Sequence, residues 1–498
     1  MNSLQRAASF VIHRVDADLW ADAPYRERVY SIVDKGIGGI GVFAGELEQT
    51  ARMIEDIQRA AGGRLLVGAD FEHGLAMRIR DAMAFPRAMA LGRLDVKQTR
   101  EIAALIAMQA RALGVHWIWA PVCDVQSNPQ NPIVGTRAFG TEANIVAQHA
   151  AAWIEGCQEA GVLACAKHVP GHGDTVVDSH VALPTIQVSR DIATAREFVP
   201  FRSAVAAGVK SLMVGHLLVP FLDAVLPASL SPVVINDLVR KQWGYQGFVV
   251  TDALDMGAIT GSYTSGDAAV MSFVAGADGV LMPSSTESAI LALAAAIEDG
   301  EVTEARLSQS EQRWTALRSS IDVNHAQSVP VDNNSAAFIA LRAARAAMDV
   351  RGLSSAVDVR QYRNAVMLAA IHEADAETAT TFFRYVAQSV ENDIDFGFID
   401  GTMTEADLAS LAESIGQVDA LYVVFVSRPT AGRNPVPGRE ELPRIVATLR
   451  GDRPLIIVHL GDEGAQAEMT CDADIVTYSE TDPSLAAAAL RCAGRDAL

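Results

Sequence analysis

The sequence predicts an α/β protein, a (β/α)8-type TIM-like barrel followed by a smaller three-layer α/β/α domain. Over the first 320 residues, short β-rich apolar runs alternate with segments of helical period. The runs are almost continuously apolar, as strands of a parallel sheet covered on both faces must be. Ionisable residues close successive runs: Asp70, Asp124, Lys167 with His168, His216 and Asp252. In a barrel those strand ends converge on one mouth, whereas an open sheet would spread them along an edge.

Taken in order, the strand-like runs are "GIGGIGVFAG" (36–45), "LLVGAD" (65–70), "VHWIWAPV" (115–122), "VLACAKHV" (162–169), "SLMVGH" (211–216), "FVVTD" (248–252) and "GVLMP" (279–283). Segments such as "TREIAALIAMQARALG" (99–114) lie between them, apolar at i, i+3, i+4 and i+7, and read as helices. The barrel is expected over residues 1–323. "NHAQSVPVDNNSAA" (324–337) is polar, holds a proline and shows no period, so it reads as a linker. Residues 338–498 repeat an α/β pattern: a helix near 336–348, then strands at 365–371, 420–427, 454–460 and 474–479. The Pro/Gly-rich loop "RPTAGRNPVPGREEL" (428–442) follows one of those strands.

Composition narrows the function. A chain of 498 residues exceeds one ordinary core. Sixty acidic against forty basic side chains give a formal charge of −20, and no basic run appears, which argues against a nucleic-acid partner. The five cysteines form no CxxC pair, which fits a reducing compartment rather than a disulfide framework. The N-terminus lacks a signal-peptide pattern and no apolar run is long enough to span a bilayer, so the expected location is cytoplasmic, with no membrane partner. The oligomeric state is not encoded legibly.

"AKHVPGHGDTVVDSH" (166–180) concentrates three histidines, two aspartates and a lysine. His168 and His172 stand four apart as zinc ligands on a helix do, but Pro170 and Gly171 between them break any helix, and no HExxH follows. Asp178 and His180 are two apart. On an extended or turned loop the carboxylate can hold one imidazole nitrogen and leave the other to exchange a proton, although a turn-forming aspartate beside a solvated histidine has the same pattern. Asp252 ends a strand, where a carboxylate needs a partner. It suits either a nucleophile or a helix cap, with Asp255 the better placed for capping.

These strings, with "TRAFG" (136–140), "VGADFE" (67–72), "MVGH" (213–216) and "VVTDALDMGAI" (249–259), resemble the bacterial β-N-acetylglucosaminidases of glycoside hydrolase family 3, in matching order and across residues 30–320. The resemblance implies a retaining exo-β-N-acetylglucosaminidase with Asp252 as nucleophile and His180 as general acid/base partnered by Asp178. It implies that Asp70, Arg137, Lys167 and His168 hold sugar hydroxyls and that His216 lies near the 2-acetamido group. No metal or organic cofactor is implied. The expected partner is a small glycoside or a muropeptide fragment from peptidoglycan turnover. One stretch departs from the family: Asp-x-Glu-Gly-Gly-Arg is replaced by "DFEHGLAMRIR" (70–80), with His73, Leu75 and Ala76 in the turn and Arg78 placed to supply a guanidinium from a shifted position.

Three other readings compete. A β-glucosidase of the same family usually takes its acid from the second domain, against which the Asp178/His180 pair argues. A phosphorylase would use phosphate in place of water, which a histidine acid/base would not repel as a glutamate would. A catalytically inactive sugar-binding protein would be expected to have lost Asp252 or His180. "GIGGIG" (36–41) lacks the residues of a phosphate loop and reads as a strand packed inside the barrel. Trp117 and Trp119 read as core or rim. His172 has no assigned role.

Overall fold

Eight short strands form the first sheet: β1 (Val11–Asp16), β2 (Gly39–Phe43), β3 (Leu66–Ala69), β4 (Trp117–Ile118), β5 (Leu163–Val169), β6 (Ser211–Val214), β7 (Phe248–Thr251) and β8 (Val280–Leu281). The computed structural model describes residues 2–63, 65–321, 332–371, 373–391, 393–429, 439–462 and 469–495. The strands are all parallel, in the order β7-β6-β5-β4-β3-β2-β1-β8. A bridge between Val250 and Gly279 brings β7 back to β8 and nearly closes the ring, giving the TIM-like barrel. The seven expected runs omitted β1. Its sequence, "VIHRVD", interrupts the apolar run with His13 and Arg14, so continuity of apolar residues does not reveal it.

The barrel interior is filled rather than hollow. Trp117 and Trp119 from β4 and its continuation are fully buried and meet edge to face at 5.8 Å, with Ile12, Met213, Phe248 and Leu281 around them. A Cβ on Gly41 would stand 2.7 Å from the Trp119 ring, so the glycine-rich β2 makes room for this side chain. The helix at Val96–Ala112 begins three residues before its expected start. Asp95 caps it by accepting from the Lys97 amide at 2.8 Å, and Ile102, Ile106 and Ala110 face inward. Such helix–strand units aim every strand's C-terminal end at the same side of the ring.

The contacts divide the chain into two units, Met1–Ala84 with Asp95–Ala336, and Phe85–Leu94 with Ala337–Leu498. Two details differ from the expected boundaries. The stretch Phe85–Leu94 groups with the second unit, where the Arg87 amide donates to Ser479 Oγ at 3.0 Å and the Arg93 guanidinium stacks on the Tyr478 ring. The expected linker is helical from Asn333, because one helix runs from Asn333 to Ala347. Residues 324–331 of that linker lie outside the described residues, as do residues 430–438 of the Pro/Gly-rich loop.

In the second unit a six-stranded sheet has the order β11-β10-β12-β13-β14-β9. Its strands are β9 (Asp349–Gly352), β10 (Ala365–Ala370), β11 (Ile394–Ile399), β12 (Ala420–Val426), β13 (Leu455–Leu460) and β14 (Ala473–Val476), and only β9 pairs antiparallel. One face packs on the helices Ala376–Ser389 and Asp482–Cys492, the other on Glu405–Ser414 and Leu442–Arg450, which makes three layers. The edge strands β9 and β11 were not expected. They are half exposed, so neither carries an apolar run. Among the described residues no helix is long and apolar enough to cross a membrane, and all five cysteines are free thiols.

Candidate active site

β3 and β5 are neighbours through β4, so the residues at and beyond their C-terminal ends meet at the barrel mouth. Lys167 Nζ lies 2.7 Å from Asp70 Oδ1 and 2.8 Å from Glu72 Oε1. Arg137, from the turn at Gly135–Arg137, donates to both Glu72 oxygens at 2.9 and 2.7 Å. Arg78 reaches Asp70 Oδ2 at 2.5 Å, the guanidinium expected of the altered 70–80 segment, and stacks on the Phe43 ring. Burial alone would raise the carboxyl of Asp70, but Lys167 and Arg78 outweigh it and hold it at about 2. Glu72, likewise buried, is held well below the usual carboxylate range by Arg137 and Lys167. Burial works against the charge on Lys167 too, and the two carboxylates keep it an ammonium.

Asp124, fully buried beyond β4, is the second fixed point. Its Oδ2 accepts from His168 Nδ1 at 2.7 Å, and its Oδ1 accepts from the main-chain amides of His168 and His172 at 3.2 and 2.8 Å. A carboxylate acceptor at Nδ1 places the proton there and leaves His168 Nε2 as the available nitrogen. Desolvation opposes the charge on Asp124, yet His168 keeps its carboxyl below the ordinary value.

His172, which had no role, ties the loop together. Its Nδ1 meets Thr175 Oγ1 at 2.8 Å and its Nε2 meets Ser179 Oγ at 3.1 Å, and burial lowers the ring to about 4, so it is neutral at pH 7. The glycines of this loop are not slack. A Cβ on Gly173 would stand 1.6 Å from the Val125 carbonyl oxygen, so close approach of two backbones demands the glycine. Among the described residues no group of three or more His, Cys, Asp or Glu side chains is disposed to hold a metal ion.

Farther along the loop, Asp178 is buried and its Oδ1 accepts from both the amide and Nδ1 of His180, each at 2.8 Å. The His180 ring is 43% exposed and makes no other hydrogen bond among the described residues, so its Nε2 is available. The Ser179 and His180 carbonyls accept from the amides of Ala258 and Gly257 at 3.1 and 3.2 Å. This anchors the loop to the segment that follows Asp252.

Asp252 leaves the end of β7 with its amide on the Val214 carbonyl at 2.9 Å, and its Oδ1 accepts from the Ala253 amide at 2.8 Å. Desolvation would raise its carboxyl, but His168 first, then His216, the Ala253 amide and Lys167 hold it below the ordinary value. His216 is fully buried behind it. Burial favours the neutral ring. Its Nε2 lies 2.9 Å from the Ala253 carbonyl and its Nδ1 2.7 Å from Ser229 Oγ. With both nitrogens engaged, His216 braces the Asp252–Ala253 peptide and presents no free ring nitrogen. Asp255 does not cap the next helix, Gly257–Thr260, whose preceding residue is Met256 and which has no side-chain cap.

Sequence reasoning did not assign Glu72, the charge partner of Lys167 and Arg137. Its signal was the Asp-x-Glu spacing, which puts both carboxylates on one side of an extended chain. It also passed over Glu197, buried against Gly171 at the root of the loop. Glu197 Oε1 takes Arg196 Nε at 2.6 Å, while Oε2 has no hydrogen-bond partner among the described residues. Burial, only partly offset by Arg196, pushes this carboxyl up to about 7.

A parallel barrel whose mouth gathers donor-rich cations, paired carboxylates and available imidazole nitrogens defines the class of barrel proteins built around a polar ligand. The profile of the glycosyl hydrolase family 3 N terminal domain matches residues 11–317, and the chain belongs to that family. It is 32% identical over 320 residues to the β-hexosaminidase A of Pseudoalteromonas piscicida, covering 57% of this chain and 54% of that protein. It is 30% identical over 305 residues to a β-N-acetylglucosaminidase/β-glucosidase of Cellulomonas fimi, covering 59% and 54%. The chain thus spans about half the length of these relatives. The solved structure of a family 3 β-N-acetylglucosaminidase from Paenibacillus sp. str. FPU-7 superposes with a TM-score of 0.86 at 28% identity, over 100% of this chain and 98% of that one.

Proposed function

We propose that the protein is a retaining exo-β-N-acetylglucosaminidase that releases terminal β-linked GlcNAc from small fragments, including those of peptidoglycan turnover. An Asp252 oxygen attacks C1 as the bond from C1 to the leaving oxygen breaks, and His180 Nε2–H gives that oxygen its proton. The neutral ring then takes a proton from water, whose oxygen attacks C1 and frees Asp252. Asp178 keeps the second proton on Nδ1 and stabilises the imidazolium. Asp70, Arg137, Lys167 and His168 grip the hydroxyls, the cations serving oxygen acceptors because they are donors only. His216 keeps the nucleophile's peptide in place beside the 2-acetamido group.

The observation that carries this reading is His180 itself: Nδ1 bonded to Asp178, Nε2 free, on a loop bonded to the Asp252 segment. Kinetics with p-nitrophenyl β-GlcNAc and a natural disaccharide test it. Asp252→Asn is expected to abolish turnover of both and to retain product binding. His180→Ala is expected to lose about 100-fold or more on the disaccharide. Near wild-type turnover of the disaccharide by His180→Ala would overturn the assignment. The same assay with phosphate separates water from phosphate as acceptor, since phosphorolysis yields the sugar 1-phosphate. A p-nitrophenyl β-glucoside control measures N-acetyl selectivity.

A further inference from the structure

The loop with the proton donor and the loop with the nucleophile are joined by main chain. The near half of the donor loop is fixed independently, by Asp124 on the His172 amide and by Gly173 against Val125. Past it, Val176 and Val177 are exposed, at 60% and 39%. Asp178 orients the His180 ring, but it sits two residues away on the same loop and travels with it. His172 Nε2 also holds Ser179 Oγ at 3.1 Å, and what ties this end of the loop directly to the segment after Asp252 is the pair of hydrogen bonds from Gly257 and Ala258 to the His180 and Ser179 carbonyls.

The identity of residue 257 matters to this contact. A Cβ there would stand 2.6 Å from the His180 carbonyl oxygen and 2.9 Å from that of Val181. Both are backbone atoms that cannot turn aside as a flexible side chain can. Asp252 itself is held elsewhere, by the Val214 carbonyl and the Ala253 amide. A side chain at 257 therefore pushes on the donor and leaves the nucleophile seated.

We propose that the Gly257 and Ala258 amides are a positioning latch that sets the His180 ring over the leaving oxygen, and that Gly257 is the residue that permits it. The proposal rests on the assignment of His180 as acid/base. A displaced donor harms only those reactions that need the proton. Aglycones that depart as stable anions, such as 2,4-dinitrophenolate, leave without it, whereas phenol does not.

The experiment compares kcat/KM for 2,4-dinitrophenyl and phenyl β-GlcNAc in the full chain and in Gly257→Ala, Ala258→Pro and His180→Ala. Ala258→Pro removes the amide that faces Ser179 and sets a ring carbon against the same carbonyl, so it breaks the contact from the Ser179 side and carries the test if Gly257→Ala does not fold. Melting curves establish folding. The latch is expected to show as a loss of about tenfold or more on the phenyl glycoside against less than about threefold on the dinitrophenyl one, in the same direction as His180→Ala and smaller. Equal losses on both substrates in the latch variants, with a steep difference in His180→Ala, overturn the latch and leave the acid/base reading standing. Equal losses in His180→Ala overturn that reading and the latch with it.

Discussion

Residues 166–180 hold two sites built on opposite principles. The first half, around Lys167 and His168, is buried and cross-linked by charge to β3 and the segment beyond β4. The second half, around Asp178 and His180, has a half-exposed ring held by the local Asp178 carboxylate, a Ser179 hydroxyl on His172 and main-chain ties to the Gly257–Ala258 segment. A grip on a ligand gains from charges fixed before the ligand arrives. A proton shuttle has to exchange with water and admit the substrate beneath it, which a fully packed side chain cannot do. Damage to the first half should therefore register as lost folding, and damage to the second as lost chemistry.

The largest expected effect tests the first half of that contrast. Glu72→Ala leaves Arg137 buried with its main partner gone and strips Lys167 of one of two carboxylates. It should lower unfolding free energy by about 3–5 kcal/mol in urea denaturation. A loss under about 1 kcal/mol would mean the charged cluster is far wetter than its burial implies. Asp178→Ala is expected to sit at the other pole, with kcat/KM reduced about 10- to 100-fold and an unchanged melting temperature. A melting temperature that falls as far as that of Glu72→Ala would erase the distinction.

Acidity sharpens the comparison because the groups involved shift in opposite directions. Asp70, Glu72 and Asp124 have depressed folded-state values. Their contribution is present above the ordinary carboxylate range and is lost as pH falls through their depressed folded-state values, which for Asp70 is about 2. Glu197, under the loop's root, is raised to about 7 from an ordinary 4.5. Its contribution is full below 4.5 and disappears as pH climbs through 7, when a buried charge forms beside Asp124 and Asp174. The melting temperature of the native chain should therefore fall relative to Glu197→Gln between pH 5 and 8. Parallel curves would remove Glu197 from the account. At the small end, Glu48→Ala breaks an exposed pair with Arg52, and should change stability by less than about 0.5 kcal/mol in the same denaturation assay.

What the sequence made legible follows from how far apart the cooperating residues lie. Strand ends can be read locally, so Asp70, Lys167, His168, His216 and Asp252 stood out, as did the adjacent Asp178 and His180. Pairings across the barrel could not be read that way. Glu72 meets Arg137 across 65 positions, and Asp124 meets the His172 amide across 48. The partners of His216, Ser229 and the Ala253 carbonyl, lie 13 and 37 positions away and were likewise out of reach. In a string of letters the glycine at 171 says only that no helix forms there, and only the position of Val125 shows Gly173 as a contact. β1 escaped notice because its strand carries polar residues, and β9 and β11 because edge strands need no apolar run.

The order of strands around the barrel has a consequence for biosynthesis. β1 pairs with β2 on one side and β8 on the other, so the ring closes only through the barrel's own last strand. A nascent chain that has left the ribosome as far as His216 has every residue of the proposed sugar grip but no ring to hold them. Until Val280 and Leu281 arrive, Lys167 and the carboxylates around it lie at the strand ends of an open sheet. During that interval, set by the pace of translation, the strand edges that the closed ring later covers are unpaired, and unpaired edges are what mispair.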